Sequence, residues 1–170
     1  MTNNLPTNWQ ELQAAIEQWG TDRNFYGEGG ATYTGQWMKL VEEFGELVLG
    51  LNKNKPELIK DALGDMVVVL VHMVRLSPNR PNLLLPESNI ILFASLPIAV
   101  SRLLILAYDL LGDFNCKGST LRAILETLAD IAKQKLELPL FDCVLASYIE
   151  IKDRKGQMID GKFIKNEDLN

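Results

Sequence analysis

Histidine and cysteine are nearly absent from this chain: His72 stands alone, and Cys116 and Cys143 are the only thiols among 170 residues. The two cysteines have neither metal nor redox spacing, so they are expected to be reduced thiols in or near the core. Basic charge is also short, with 17 Lys and Arg against 22 Asp and Glu and a net charge of −5. That balance argues against broad nucleic-acid binding. A leading basic-then-apolar signal segment is missing, since the chain opens Met1-Thr2-Asn3-Asn4-Leu5-Pro6, and a cytoplasmic protein is expected. The glycine-rich run Gly27-Glu28-Gly29-Gly30 lacks both a following Gly-Lys-Ser/Thr and a preceding strand. It is therefore read as a flexible approach to a site rather than a P-loop. The stretch from Ile90 to Leu111 is about long enough to span a bilayer, but Arg102 would sit near the bilayer centre at a cost of about 3 kcal/mol. Pro97 after Ser95 marks a helix start. The expectation is a buried bundle helix from about Leu96 to Leu111, with no membrane contact.

What is present is apolar content of 47%, enough for one domain spanning residues 1–170 with its own core. The hydrophobic period is helical almost everywhere. A first helix is predicted from Asn8 to Trp19, with Trp9, Leu12, Ile16 and Trp19 on one stripe. Two helices follow at about 34–52 and 56–76, and the short Asn52-Lys53-Asn54-Lys55 turn makes them antiparallel neighbours. The segment from Ser77 to Asn89, with Pro78, Pro81 and Pro86, reads as a connector. Further helices are predicted through Leu111, from Thr120 to Leu136 and from Leu138 to Ile151, with a turn at Gly112–Gly118. In the tail, Asp160-Gly161 between Met158-Ile159 and Phe163-Ile164 is a tight-turn signal for a small extended hook. The fold class is all-α: an antiparallel bundle of five to six helices with a short extended C-terminal tail.

Within the 34–76 hairpin, carboxylates occupy places where a core would want leucine. Gln36, Lys39, Glu42, Glu43, Glu46 and Gly50 fall on one arc of roughly 120° at ~100° per residue, opposite Trp37, Leu40, Val41, Phe44, Leu47, Val48 and Leu51. The glutamates lack lysines four residues on, leaving their repulsion uncompensated without a cation or a basic partner. Asp61 and Asp65 share a face on a helix that is apolar nearly all round from Ala62 to Met73, where a buried carboxylate needs a partner or a metal. Oxygen-only ligands favour Mg²⁺ or Mn²⁺ over zinc. A solvated acidic face is the plainer alternative for the first helix alone. Shifting the hairpin by 65 residues lays Asp65 on Asp130 and Asp61 on Glu126, a weak echo that suggests a duplicated helical pair at about 90–136.

Gln36-Trp37-Met38-Lys39-Leu40-Val41-Glu42-Glu43-Phe44-Gly45-Glu46-Leu47 and Lys60-Asp61-Ala62-Leu63-Gly64-Asp65 resemble the MazG-type all-α nucleoside triphosphate pyrophosphohydrolases. That family carries Glu-Glu-x-x-Glu, a spacer, then Glu-x-x-Asp. The run from Tyr148 to Met158 resembles the tail of phage-type members, so residues 78–135 look like an inserted helical pair. The resemblance covers roughly two thirds of the chain. It implies Mg²⁺-dependent hydrolysis of a (deoxy)nucleoside triphosphate to monophosphate and pyrophosphate, in a homodimer. By matched position Glu43, Glu46 and Asp65 are implied as metal ligands, with Glu42 beside them. One match fails: Ala62 stands where the family has a glutamate, leaving Asp61 as a stand-in pointing about 100° away.

Carboxylates alone would repel a triphosphate, so Lys39 on the acidic stripe and Lys152, Arg154 and Lys155 in the tail are candidate phosphate contacts, with Gln36 as a candidate base or phosphate contact. His72 and the tryptophans are expected to be core residues. Two other functions remain open: a nucleotide-binding or regulatory protein weakened by the loss at Ala62, and a structural helical interaction module.

Overall fold

The computed structural model describes residues 5–86, 93, 95–112 and 116–168. Six helices and one small hairpin carry the described chain. Helix α1 spans Trp9–Asp22 and begins where the Asn8 side chain accepts a hydrogen bond from Glu11 N at 3.0 Å, satisfying a donor that the first turn leaves open. Its stripe of Trp9, Leu12, Ile16 and Trp19 is buried as the period predicts. Helix α2, Tyr33–Lys53, is capped by Thr32 and ends at Asn54 in the left-handed region, φ 48°. Helix α3, Pro56–Leu76, starts directly on its proline, which has no amide hydrogen to leave unpaired.

Helix α3 is the axis of the fold. It packs on α1, α2, α5 and α6, and from Ala62 to Val74 every residue except Asp65 is buried. An apolar surface all round is stable only with neighbours on every side. Helix α6, Leu140–Ile151, comes closest: a Cβ on Gly64 would collide with the Ser147 Oγ and the Cys143 carbonyl oxygen. Gly64 therefore sets the distance between these two helices.

Helices α4, Leu96–Gly112, and α5, Gly118–Leu136, form the second pair. Helix α4 leans on α2, where Trp37 Nε1 donates to the Ala107 carbonyl at 2.7 Å and Tyr33 Oη to that of Leu110 at 2.8 Å. It is less enclosed than the sequence suggests. Ile98, Leu104, Ile105 and Tyr108 are exposed, because among the described residues α4 packs chiefly on α2 and α5. No helix among the described residues is long and apolar enough to cross a membrane.

The echo of the acidic hairpin in α5 serves structure. Asp130 is fully buried, and its Oδ2 accepts from Phe93 N at 3.0 Å and Gln134 Nε2 at 3.1 Å. Both cysteines are buried and free. The connector from Ser77 is non-helical through Pro86 and is pinned by Trp9 Nε1 donating to the Leu83 carbonyl at 2.6 Å; its remainder, and residues 113–115 of the 112–118 turn, lie outside the described residues.

The tail forms the expected hook. Strands β1, Gly156–Ile159, and β2, Lys162–Lys165, pair antiparallel with Ile159 opposite Lys162. Asp160 and Gly161 both have positive φ, 48° and 75°, the signature of a two-residue turn whose twist suits a hairpin. This hairpin docks back on the 23–30 loop: Met158 N donates to the Arg23 carbonyl at 2.8 Å and Gly161 N to that of Gly29 at 3.1 Å. Arg23 staples the approach, its Nε donating to the Arg154 carbonyl at 2.8 Å while its guanidinium lies 4.7 Å over the Trp19 ring.

Candidate functional site

A cleft of about 840 Å³ opens between α2, α3 and the C-terminal hairpin. Its two walls differ in chemistry. One is polar, formed by Gln36, Lys39, Glu42, Glu43, Asp65, Arg154 and Lys162; the other is aromatic and apolar, formed chiefly by Trp19, Phe25, Val68, Val69, His72 and Phe163. Six of the residues singled out in the sequence thus meet in one place: Gln36, Lys39, Glu42, Glu43, Asp65 and Arg154. Glu46, Asp61, Lys152 and Lys155 do not line it.

The burial of α2 explains the division. Gln36, Leu40, Glu43, Leu47 and Gly50 are its buried residues, so the face against α3 is centred near Gln36 and Glu43 rather than opposite them. Glu42 and Glu46 turn progressively outward and are exposed, as is Val41, which was expected in the core. Nor is the acidic stripe uncompensated: Lys39 Nζ lies 2.7 Å from Glu43 Oε1 and 3.0 Å from Glu42 Oε1. Lysine placed before glutamate is the less favourable helical order, but it still supplies the partner that the expectation omitted. The Glu43 side chain is only 4% exposed. Burial raises its carboxyl pKa against the lowering effect of Lys39, with Glu46 and Glu42 raising it further.

Asp65 is the more perturbed acid. Burial first, then the charges of Glu43, Asp61 and Glu150, raise its pKa from 3.8 to about 6, while the Ser147 hydroxyl pulls the other way. That hydroxyl makes no well-aligned hydrogen bond. Asp61 is half-buried and also raised, by burial and by Glu150 and Glu46, with Arg154 opposing. Asp65 therefore sits between two acidic groups. Glu43 and Glu42 lie on the cleft side; Asp61, Glu46 and Glu150 lie beside it. Glu150 was missed in the sequence, though its i,i+4 spacing to Arg154 was a usable signal: Arg154 Nη2 reaches Glu150 Oε1 at 2.9 Å. Lys152 pairs instead with Asp153 at 2.6 Å.

In kind, these all-oxygen donors suit a hard cation. In geometry they do not yet form a cage: among the described residues no three His, Cys, Asp or Glu side chains converge as metal ligands. The full set Glu42, Glu43, Glu46, Asp61 and Asp65 is not brought together, and Ala62 is fully enclosed.

The aromatic wall was the least legible part. Trp19 Nε1 donates to the Ile151 carbonyl at 2.7 Å, and its ring stacks on Phe163 with centroids 5.8 Å apart. Phe25 lies 4.5 Å from His72. His72 is 2% exposed, and burial pushes its pKa down to about 3, so the ring is neutral. Its Nδ1 is 2.7 Å from Tyr26 Oη, while Nε2 has no hydrogen-bond partner among the described residues. A buried polar atom without a partner costs about 1–3 kcal/mol. The glycine-rich loop contributes Phe25 to the cleft and closes on itself through Ala31 N donating to the Phe25 carbonyl at 2.8 Å; Gly27 to Gly30 are not in the cleft lining.

No family profile matches the chain, and no solved structure does. A curated protein of Haemophilus phage HP1, described as an uncharacterized 18.2 kDa protein in the rep-hol intergenic region, is 48% identical over 66 residues. The match spans 39% of this chain and 39% of that protein, so about two fifths of the relative's length is covered.

Proposed function

We propose that the cleft binds a nucleoside triphosphate and hydrolyses it to monophosphate and pyrophosphate, with Mg²⁺ or Mn²⁺ as cofactor, in a cytoplasmic homodimer. The observation that carries the reading is the pairing of an aromatic wall with a carboxylate and lysine wall in one opening. A base would lie toward the half-buried Phe163, which is backed by the buried Trp19 and Phe25, and the phosphates would lie toward Lys39, Arg154 and Lys162. Asp65, with a pKa near 6, is suited to take a proton from an attacking water near neutral pH. A bound Mg²⁺ would neutralise phosphate charge and acidify a water; because no three carboxylates converge among the described residues, it would be held chiefly by the substrate's own phosphate oxygens, with Glu42 and Glu43 the nearest cleft carboxylates beside Asp65. The exposed Ile98, Leu104, Ile105 and Tyr108 on α4 support self-association, which sedimentation at several concentrations tests.

A nucleotide-binding protein with little turnover is the second reading. It is favoured by the enclosed Ala62 and by the engagement of Glu43 with Lys39. Pyrophosphate release from a dNTP panel with Mg²⁺, alongside thermal shifts, separates the two. Turnover lost in Asp65→Ala and Glu43→Ala supports hydrolysis; nucleotide stabilisation without turnover supports binding alone. If neither nucleotide nor Mg²⁺ stabilises the protein, both fail.

A further inference from the structure

Helix α4 carries a ridge on the side turned away from its own bundle. Ile98, Ser101, Ile105 and Tyr108 follow one another at three, four and three residues, the spacing of a stripe shaped to meet another helix. Ile98, Ile105 and Tyr108 are 57%, 63% and 71% exposed, and Ser101 is exposed as well. At ~100° per residue the stripe points roughly opposite to Ala99, Leu103, Ala107 and Leu110, which α4 buries. An apolar ridge standing straight out into water is the kind of patch that marks a contact surface.

The two flanks of the ridge differ in chemistry. On one lie Arg102 and Asp109, seven residues apart and both exposed. Arg102 rests 5.3 Å over the Phe93 ring, and neither side chain forms an ion pair among the described residues. On the other flank lie Leu104, 58% exposed, and Leu111, half-buried. The flanks select the direction of a second helix of the same sequence. A parallel copy would set unlike flanks together and place Asp109 beside the partner's Leu104. A copy running the opposite way about a two-fold axis brings each flank against itself. Ile105 then faces Tyr108 of the partner subunit, Arg102 faces the partner's Asp109, and Leu104 faces the partner's Leu111, each contact being made twice. One register satisfies all three, because the pairs are centred within about one residue of each other.

We propose that α4 is a two-fold, antiparallel interface with a second copy of this chain, closed by Ile105 and Tyr108 and flanked by two Arg102–Asp109 ion pairs. The inference rests on the homodimer in the reading above and gives it a face, a direction and a register. Opposite charges spaced evenly about Ile105 and Tyr108 are what self-pairing requires; an unrelated partner would need no such symmetry. None of these residues lines the cleft, so the interface is separable from whatever the cleft binds.

The test is sedimentation equilibrium of the full chain over a range of micromolar concentrations, with circular dichroism confirming the fold of each variant. Wild type should be a dimer. Arg102→Asp and Asp109→Arg each set like charges against one another at both flanking contacts, and each should raise the dimer dissociation constant about tenfold or more. The double variant, with the pair exchanged, should return it close to the wild-type value. Ile105→Asp should give monomer. Direction is read by disulfide trapping: in an equal mixture, Ile105→Cys and Tyr108→Cys chains should crosslink to one another faster than either crosslinks to itself. A dimer untouched by Arg102→Asp, Asp109→Arg and Ile105→Asp, a double variant as weak as the singles, or faster crosslinking of like to like overturns the proposal and leaves the homodimer standing on another face. Wild type that stays monomeric at every concentration overturns both.

Discussion

Replacing Asp65 with asparagine should make the protein more stable at pH 8 while impairing its cleft. The folded-state pKa of Asp65 is raised from 3.8 to about 6 by burial and by Glu43, Asp61 and Glu150. The folded state therefore holds this proton more tightly than the unfolded chain does. Below about pH 4 both states are protonated, and the group's stabilising contribution is fully present. It is lost as pH rises through 6, where folding must confine an ionised carboxylate. A rise of roughly two pKa units corresponds to about 3 kcal/mol at most, and partial solvent access reduces this to about 1–3 kcal/mol. Asparagine has nearly the same shape and never ionises. Urea unfolding at pH 4, 6 and 8 should show Asp65→Asn gaining about 1–3 kcal/mol at pH 8, a midpoint shift of about 0.5–1 M for a typical urea slope, and almost nothing at pH 4. The other raised acids, Glu43 and Asp61, remain in both proteins but lose Asp65 as a charged neighbour, so the difference reports Asp65 together with its coupling to them. A gain of equal size at every pH, or a loss at pH 8, would refute the electrostatic reasoning. Mg²⁺ adds a second arm: it should stabilise wild type more than the variant.

Lys39→Met should strand the Glu43 carboxylate, costing about 1–3 kcal/mol at pH 8 and less at pH 4, as seen in the same unfolding series. Gly64→Ala places a methyl group against Ser147 and Cys143 and should cost about 2–4 kcal/mol, measured by thermal or urea unfolding; a neutral result would show that α3 and α6 can separate freely. Glu43→Gln should weaken nucleotide binding in calorimetry more than Glu46→Gln, because Glu43 lines the cleft and Glu46 does not. Ala62→Glu, which sequence logic alone would expect to tighten Mn²⁺ binding by restoring a ligand, should instead lose about 2–4 kcal/mol, since Ala62 has no exposed surface; tighter Mn²⁺ titration without a stability loss would refute this.

The helices were legible because their periods and some of their ends are local: the first starts at Asn8, Pro56 opens α3, and Asp160-Gly161 turns the hairpin, whereas the Thr32 cap of α2 was not read. The polar wall was legible in part. Gln36, Lys39, Glu42, Glu43 and Asp65 lie on two consecutive helices, where spacing fixes the face. Spacing did not fix the centre of that face, so Val41 was placed inside and Lys39 was not counted as the partner of Glu43. The aromatic wall was hidden for a different reason. Trp19, Phe25, His72 and Phe163 come from four separate segments: Trp19 and His72 read in sequence as ordinary core, Phe25 as part of a flexible loop and Phe163 as a flank of the tail turn. Only the docking of the tail on the 23–30 loop brings them together. Likewise α4 looked enclosed from its hydropathy, although hydropathy cannot say how many neighbours a helix will find.

The Arg23 staple and the two-strand hairpin give the cleft a kinetic character distinct from that of the bundle. Trp19 and Phe163 are 144 positions apart in the chain, and the hairpin that carries Phe163 and Lys162 meets the rest of the protein largely through the 23–30 loop. Such a short element can detach as a unit while α3 stays enclosed. Its amides should then exchange with solvent far faster than those of α3, and one wall of the cleft would come and go with them. The apparent affinity for any occupant is then its intrinsic affinity scaled by the fraction of time the hairpin is docked. Changes at Arg23, outside the lining of the cleft, would adjust binding by changing that fraction.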